Sequence, residues 1–308
     1  MGLVGGLACL ASAAAQDLVK ESLTTFAPGT IRVEYARPAK LRTLPDYEAL
    51  RQRYVGPRLK ALEGSFAQLG MRESDVDEIL LAWRPGDGTM DVAGLVTGRF
   101  TAQTFAERAM AHGIPASDVA DQPAYCLEAG AGTACLVVLR DSLGLFGSPP
   151  GLRAMLGIRG GQEPSLSTDE RFSKLVGEAP TEAPVWGVAV GEAVPDWFRA
   201  WLPGQGNLQM DWSKAFQSVE GIIYSVETAD NVRLDVKMDC TNDQSAESAR
   251  QVFEGLRMFQ EMAWQNMNPG KPNPFRGVEI ARDGRRLSLR MTTSYADLQG
   301  FNPSGGGF

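Results

Sequence analysis

The sequence predicts an α+β protein with two ββαββ-type repeats with antiparallel sheets, preceded by an N-terminal helical segment. Three observations lead to this prediction. Residues 219–292 show two strands, an amphipathic helix and a hairpin, and residues 78–140 show the same order of elements. The 308 residues are 44% hydrophobic and 22% charged, which is typical of a globular chain with a sizeable core.

The second repeat has the clearer pattern. Residues 233–240 alternate polar and apolar side chains, which indicates a strand with one wet face and one buried face. After the N-cap candidate Asn242, apolar residues recur at steps of three and four, which predicts an amphipathic helix; they include Ala249, Val252, Phe253, Leu256, Phe259 and Ala263. Asp283-Gly284 then favours a tight hairpin between strands at 277–282 and 285–292.

The first repeat is predicted from the same sequence of signals. Strands at 78–84 and 91–100 precede a helix at 102–111, which Gly113 ends, and strands follow at 124–128 and 133–140. We interpret the two repeats as copies related by duplication. Between them the sequence predicts a strand at 141–147, helices at 149–156 and 168–176, and a strand at 185–190.

The predicted organisation has five parts. Residues 1–15 are a signal peptide, 16–72 a connector and helix, 73–212 the first repeat with the linking block, 213–298 the second repeat, and 299–308 a flexible glycine-rich tail. Pro28, Pro38 and Pro45 indicate an extended connector, and the helix that begins at Asp46 should break at Gly56-Pro57.

Export is predicted from the first residues. Residues 2–15 carry no charge, are too few to span a bilayer, and end in the Ala13-x-Ala15 pattern that signal peptidase cleaves. The segment lacks the basic residues of a typical signal. A lipid anchor at Cys9 and a cytoplasmic protein with an apolar start are therefore the alternatives to a periplasmic or secreted protein.

One stretch also resembles known proteins. It contains Leu143-Gly-Leu-Phe-Gly-Ser148, Leu152-Arg-Ala154, Ser165-Leu-Ser167, Arg171-Phe172 and Leu175, followed by a strand. This order resembles the pattern of bacterial exported proteins of unknown function, and the resemblance covers residues 78–190. It implies an exported α+β protein and assigns no functional residue.

The composition argues against several functions. A net charge of −7 disfavours a nucleic-acid partner, which needs a clustered basic surface. The chain has one histidine, His112, and its place at a helix end indicates an exposed cap instead of a catalytic base. No catalytic, cofactor or metal motif is present, so we predict no cofactor and no metal, and an enzyme is the less favoured class.

The candidate binding residues are aromatic. Trp186, Trp197, Phe198 and Trp201 are predicted to pack in the core, and the alternative is an apolar binding surface that lines a lipid pocket or lies at a membrane surface. Met258, Met262 and Met267 recur along one helix and are predicted to fill the core, with a soft binding surface as the alternative. The expected function is a non-enzymatic exported binding or assembly protein whose partner is another protein. A carrier of a hydrophobic small molecule or lipid is the alternative, and an enzyme of unrecognised type is the second.

The spacing of two cysteines predicts a disulfide. A two-residue turn at Gly130-Ala131 would place Cys126 and Cys135 directly opposite each other in a non-hydrogen-bonded pair, where side chains approach closely. In an oxidising compartment they should be bonded, with two reduced core cysteines as the alternative. Cys240 should then lie alone on the apolar face of its strand.

Overall fold

The computed structural model describes residues 18–45, 47–54, 57–86, 90–129, 132–201, 211–267, 269–270 and 273–300. Side chains are described in these ranges except at 53–54, 57–59, 200–201, 267 and 299–300. The predicted signal peptide, Asp46, Gly56, the Gly130-Ala131 turn and residues 301–308 of the predicted tail lie outside the described residues.

The described ranges contain twelve strands. These are β1 (Arg32–Ala36), β2 (Val76–Pro85), β3 (Met90–Gly98), β4 (Ala116–Val119), β5 (Gln122–Ala129), β6 (Gly132–Arg140), β7 (Leu143–Gly147), β8 (Val185–Val190), β9 (Val219–Thr228), β10 (Val232–Cys240), β11 (Glu279–Asp283) and β12 (Arg286–Thr293).

Eleven helices are present in the same ranges. They are α1 (18–23), α2 (Pro38–Leu41), α3 (Tyr47–Tyr54), α4 (Pro57–Gln68), α5 (Ala102–Ala111), α6 (Pro149–Arg159), α7 (Glu170–Gly177), α8 (Ala193–Trp201), α9 (Trp212–Phe216), α10 (Asp243–Met267) and α11 (Tyr295–Gly300). Polar side chains cap several of them, as Asn242 does when its Oδ1 accepts from the Ser245 N–H at 2.8 Å. The predicted α+β class is thus confirmed.

All twelve strands form one antiparallel sheet. Its order is β11-β12-β10-β9-β8-β1-β2-β3-β7-β6-β5-β4. The central strand β1 pairs with β2 on one side and β8 on the other, so it joins the two halves. The prediction of an extended connector at 28–45 missed this strand. Pro28 and Pro38 stand outside Arg32–Ala36, and every backbone N–H of β1 is therefore available to its neighbours.

The strands and helices predicted for the two repeats are present. β2, β3, α5, β5 and β6 occur in this order in the first, with the unpredicted β4 between α5 and β5, and β9, β10, α10, β11 and β12 occur in the second. The strand beside β3 is however β7, just as β12 lies beside β10. By position in the sheet, β6 and β7 therefore correspond to β11 and β12, which corrects the predicted match of β5 and β6. The strands of the two repeats also share one sheet.

Helices cover both faces of this sheet. We name one the α6 face: α1, α6 and α7 pack there on residues such as Tyr35, Leu80 and Trp186. On the other, the α10 face, α4 and α5 pack on β2 and β5–β7, and α8–α10 pack on β8–β10 and β12. Both repeat helices, α5 and α10, thus lie on the same face, as the duplication predicts. The α10 face also carries the candidate site.

Candidate functional site

A large cavity lies on the α10 face between the sheet and the helices α3, α8, α10 and α11. Its volume is about 390 Å³. The floor consists of strand residues whose side chains point to this face: Ala36, Ile79, Leu81, Val185, Val226, Val232, Leu234, Val236, Ile280, Leu289 and Met291. The floor therefore draws on strands of both repeats and on β1 and β8 between them.

The period-two pattern of β10 explains why this floor is apolar. Val232, Leu234 and Val236 line the cavity, while the intervening Arg233 and Asp235 pair with each other on the opposite face. The roof comes from amphipathic helices that turn apolar side chains inward: Leu50 of α3, Trp197 and Phe198 of α8, Phe253 and Leu256 of α10, and Leu298 of α11. The result is a partly open space with mainly hydrocarbon and aromatic walls.

A buried polar cluster interrupts the apolar wall. Glu34 of β1 lines the cavity and is only 5% exposed. Its Oε1 accepts hydrogen bonds from the Arg32 guanidinium and from the hydroxyl of Tyr224, which is 1% exposed. Its Oε2 has no hydrogen-bond partner among the described residues. A residue of the mainly apolar wall thus holds a carboxylate oxygen that is buried and without a partner among the described residues.

The electrostatics of this cluster follow from its burial. Burial raises the pKa of the Glu34 carboxyl above its ordinary value, although the Arg32 guanidinium opposes the rise. Burial and the neighbouring carboxylate together raise the pKa of the Tyr224 hydroxyl, which stays protonated and donates to Glu34. Arg32 also lies over the Trp83 ring, with 4.6 Å between its Cζ and the ring centroid.

A second polar cluster of the same residue types lies on the α6 face. Tyr35 donates to Glu78 Oε1 at 2.8 Å, and Arg37 lies 3.4 Å from the same oxygen. Glu78 is 7% exposed and does not line the cavity. Unlike Glu34, it has no carboxylate oxygen that is buried and without a partner. Arg32 of β1 and Arg37, the residue that follows β1, thus each pair with a buried glutamate, one on each face of the sheet.

Sequence reasoning did not identify Arg32, Glu34 or Tyr224. The available signal was the alternation of Arg32, Val33, Glu34 and Tyr35, which is a period-two pattern within the predicted connector. Three flanking prolines outweighed it. The pairing with Tyr224 spans 190 residues and leaves no local trace.

The structure separates the predicted aromatic surface. Trp197 and Phe198 line the cavity, and their rings make a T-shaped contact at 5.0 Å. Trp186 lies on the α6 face, fully buried and stacked on Tyr35 at 5.6 Å. The side chain of Trp201 lies outside the described residues. Trp186 is therefore a core residue, because alternate positions of β8 point to opposite faces.

The predicted disulfide is present. Cys126 and Cys135 are bonded, and the pairing of Ala129 with Gly132 shows the register that a two-residue turn requires. Cys240 is a buried free cysteine, as predicted, and burial raises the pKa of its thiol. The bond joins two strands near the β4 edge of the sheet, away from the cavity.

Two of the predicted core methionines are on the surface. Met258 and Met262 of α10 are 56% and 59% exposed, and Phe259 is 41% exposed. The prediction of core filling is wrong for both methionines, because they lie on the side of α10 opposite to Phe253 and Leu256. The side chain of Met267 is not described. These three residues, Met258, Phe259 and Met262, form the α10 patch.

The described residues offer no other obvious chemical centre. Among them no group of three His, Cys, Asp or Glu side chains is placed to hold a metal ion. His112 is exposed and follows the last residue of α5, with its backbone N–H bonded to the Arg108 carbonyl at 3.0 Å. No described helix combines the length and the apolar character needed to cross a membrane.

Comparison with known proteins shows likeness at the level of fold. No protein family model matches the chain, and no curated protein matches it. Two solved structures, crystal forms III and I of TP0453, are similar with TM-scores of 0.54 and 0.53 at 12% and 11% identity. The alignments cover 91% of this chain and 96% and 95% of those chains. The architecture is therefore shared across nearly the whole length.

Proposed function

We propose that the protein binds a hydrophobic small molecule, such as one with a lipid acyl chain, in the cavity on the α10 face. The observation that supports this most strongly is the cavity itself, about 390 Å³ with mainly apolar walls. Cavities of this volume and character are typical of sites that enclose small apolar molecules. Trp197 and Phe198, two of the four aromatic residues singled out in the sequence, lie in its wall.

The test is binding of a neutral apolar dye, N-phenylnaphthylamine, whose fluorescence rises in apolar surroundings. Leu234 is a half-buried residue of the floor, so Leu234→Trp places an indole in the cavity. We expect this variant to weaken dye binding by about tenfold or more, because the indole fills the space in which the dye would bind. Leu156→Trp is the matched control, since Leu156 is half-buried in α6 on the other face.

Equal dye affinity in Leu234→Trp and the wild-type protein would contradict the proposal, and so would a folded wild-type protein that binds no dye. Circular dichroism and thermal unfolding of both variants show whether they fold. If Leu156→Trp binds the dye as tightly as the wild-type protein, a loss of dye affinity in Leu234→Trp is due to the filled cavity and not to the added indole as such.

We also propose that the carrier works outside the cytoplasm. The Cys126–Cys135 disulfide supports this, because disulfides persist mainly in oxidising compartments. The Ala13-x-Ala15 pattern adds the expectation that residues 1–15 are removed. Mass spectrometry of protein from its native host checks this, and an intact Met1 on folded protein would contradict cleavage.

A protein-binding role is the second candidate, and the α10 patch is the observation that favours it. Met258, Phe259 and Met262 expose apolar side chains next to one another on one helix. Replacing both methionines by glutamine should leave dye binding unchanged if the patch serves a protein partner. Lower dye affinity in that variant would assign the patch to the carrier function instead.

A further inference from the structure

One residue of the cavity wall, Glu34, differs from the mainly apolar residues around it. Glu34 Oε2 is buried and has no partner among the described residues, whereas Oε1 of the same carboxylate accepts from Arg32 and Tyr224. A buried acceptor without a donor costs free energy. Glu34 itself lines the cavity, whose walls are mainly apolar, so a group bound there is the candidate donor for Oε2.

The charge of the cluster restricts that donor. An arginine side chain stays protonated in proteins, and an uncharged Glu34 would leave the buried Arg32 guanidinium without its neighbouring counter-charge. The two therefore form an ion pair without net charge. A cationic ligand would lose its hydration and find no unpaired negative charge in return. A carboxylate ligand has only acceptor oxygens, so it cannot donate a hydrogen bond to Oε2.

We infer that the cavity takes an uncharged, mainly apolar molecule with a hydroxyl group, whose O–H donates to Glu34 Oε2. This inference rests on the proposed function and adds the polarity of the ligand to it. At about 30 Å³ for a water-sized group, the cavity holds roughly a dozen such groups. An aliphatic alcohol of about ten carbons is therefore a suitable probe.

The test measures displacement of N-phenylnaphthylamine by decanol, decane, decanoate and decylammonium at neutral pH. In the wild-type protein we expect decanol to bind about tenfold more tightly than either charged ligand. The acceptor is then removed by the double variant Arg32→Met/Glu34→Leu, which replaces the buried ion pair with apolar side chains of similar size, a change that folded proteins often tolerate. Decanol should lose about tenfold in affinity in this variant, while decane loses none.

The matched control is Arg37→Met/Glu78→Leu, which removes the corresponding ion pair on the α6 face. It carries the same chemical change outside the cavity and should leave the affinities for decanol and decane unchanged. Dye binding by each variant shows that it folds.

A single substitution keeps the inference testable if the double variant does not fold. In Glu34→Gln, Arg32 and Tyr224 still require an acceptor at the Oε1 position, so the amide nitrogen takes the place of Oε2 and turns a donor toward the ligand. The preference for decanol over decanoate should then fall by about tenfold.

The outcomes separate the two proposals. Suppose that the wild-type protein binds the dye and decane, and that loss of Glu34 changes the affinities for decanol and decane equally. The hydroxyl inference is then overturned and the carrier function stands. An undiminished preference for decanol over decanoate in Glu34→Gln overturns it as well. If neither dye nor decane binds to the folded wild-type protein, the carrier function itself is wrong.

Discussion

Gly187 determines whether Tyr224 reaches Glu34. These three residues are neighbours across β9, β8 and β1, in the register Tyr224–Gly187–Glu34. A Cβ on Gly187 would lie 2.3 Å from both the Cζ and the hydroxyl oxygen of Tyr224. The tyrosine ring therefore crosses the glycine, and the absence of a side chain there is what lets the hydroxyl reach the carboxylate.

Gly187→Ala should consequently destabilise the protein. The Tyr224 ring is fully buried and cannot move without displacing its neighbours, so the clash should cost about 1–3 kcal/mol of unfolding free energy. Urea unfolding measures this change. The control is Gly255→Ala, an exposed helical position with open space, where alanine should stabilise by about 0.5–1 kcal/mol. Equal effects of the two substitutions would contradict this account.

At the scale of residues, the sequence predicts what is local. The disulfide could be predicted because nine positions separate Cys126 from Cys135 and turn geometry sets their register. Cys240 followed from the alternation within its own strand. The Glu34 cluster could not be predicted, because it depends on three strands meeting and on an empty position at Gly187.

At the scale of elements, Arg286 ties three of them together. Its Nε donates to Asp239 Oδ1 at 2.6 Å and its Nη2 to Asp239 Oδ2 at 2.9 Å, which joins β12 to β10. The same Nη2 donates to Glu178, which follows α7, at 2.8 Å. Partial burial alone would raise the pKa of Asp239, but the hydrogen bonds from Arg286 outweigh it and hold this pKa below its ordinary value of 3.8.

This bridge should make stability depend on acid pH. A lowered native pKa means that Asp239 contributes stability above pH 3.8 and loses it as the pH falls through the native pKa. Arg286→Gln should therefore cost about 1–2 kcal/mol of unfolding free energy at neutral pH, and the difference from the wild-type protein should shrink below pH 3.8. Chemical unfolding across a pH series measures both.

The neighbouring arginine supplies the control for this prediction. Arg285 pairs with Glu220 at 2.8 Å, but both side chains are more than two-fifths exposed. Arg285→Gln should therefore cost less than about 1 kcal/mol, since water screens exposed ion pairs. A larger loss for Arg285→Gln than for Arg286→Gln would show that the bridge is not the stabilising contact.

Elements with strong periodic patterns were predicted, whereas the short strands β1 and β4 were not. The alternation in β10 agrees with the structure, the helical stripe of α10 agrees except at the exposed Phe259, and α4 begins at the predicted break at Pro57. β1 and β4 have five and four residues, too few for a period to stand out beside prolines and polar neighbours. Strand order was also beyond prediction, because the pairing of β1 with β8 brings together residues about 150 positions apart.

At the scale of the whole molecule, the cavity depends on contacts that no local pattern records. Its walls come from seven strands and several helices that are distant in the chain. A sequence pattern shows which side of a strand or helix is apolar, and here it did so for β10 and α10. It does not show whether opposing apolar faces meet tightly, as Tyr35 and Trp186 do, or leave space between them.

The unbroken twelve-stranded sheet indicates that the molecule unfolds as one unit. The predicted boundary at 212–213 falls between β8 and β9, which pair from Val185–Val226 to Val190–Gly221 within an unbroken sheet. Tyr224 further bonds across this boundary to Glu34. Neither half can leave without exposing unpaired backbone of the other, which favours a cooperative transition.

Ligand binding tests whether the molecule unfolds as one unit, because strands from both sides of the predicted boundary line the cavity. Decanol at a hundred times its dissociation constant should add about 2.7 kcal/mol to the unfolding free energy. In a single-unit molecule, tryptophan fluorescence and far-ultraviolet circular dichroism should report one transition, which moves as a whole when decanol is added. In the Leu234→Trp protein the same concentration should move it little. Two transitions, of which decanol shifts only one, would show that the halves unfold separately despite their common sheet.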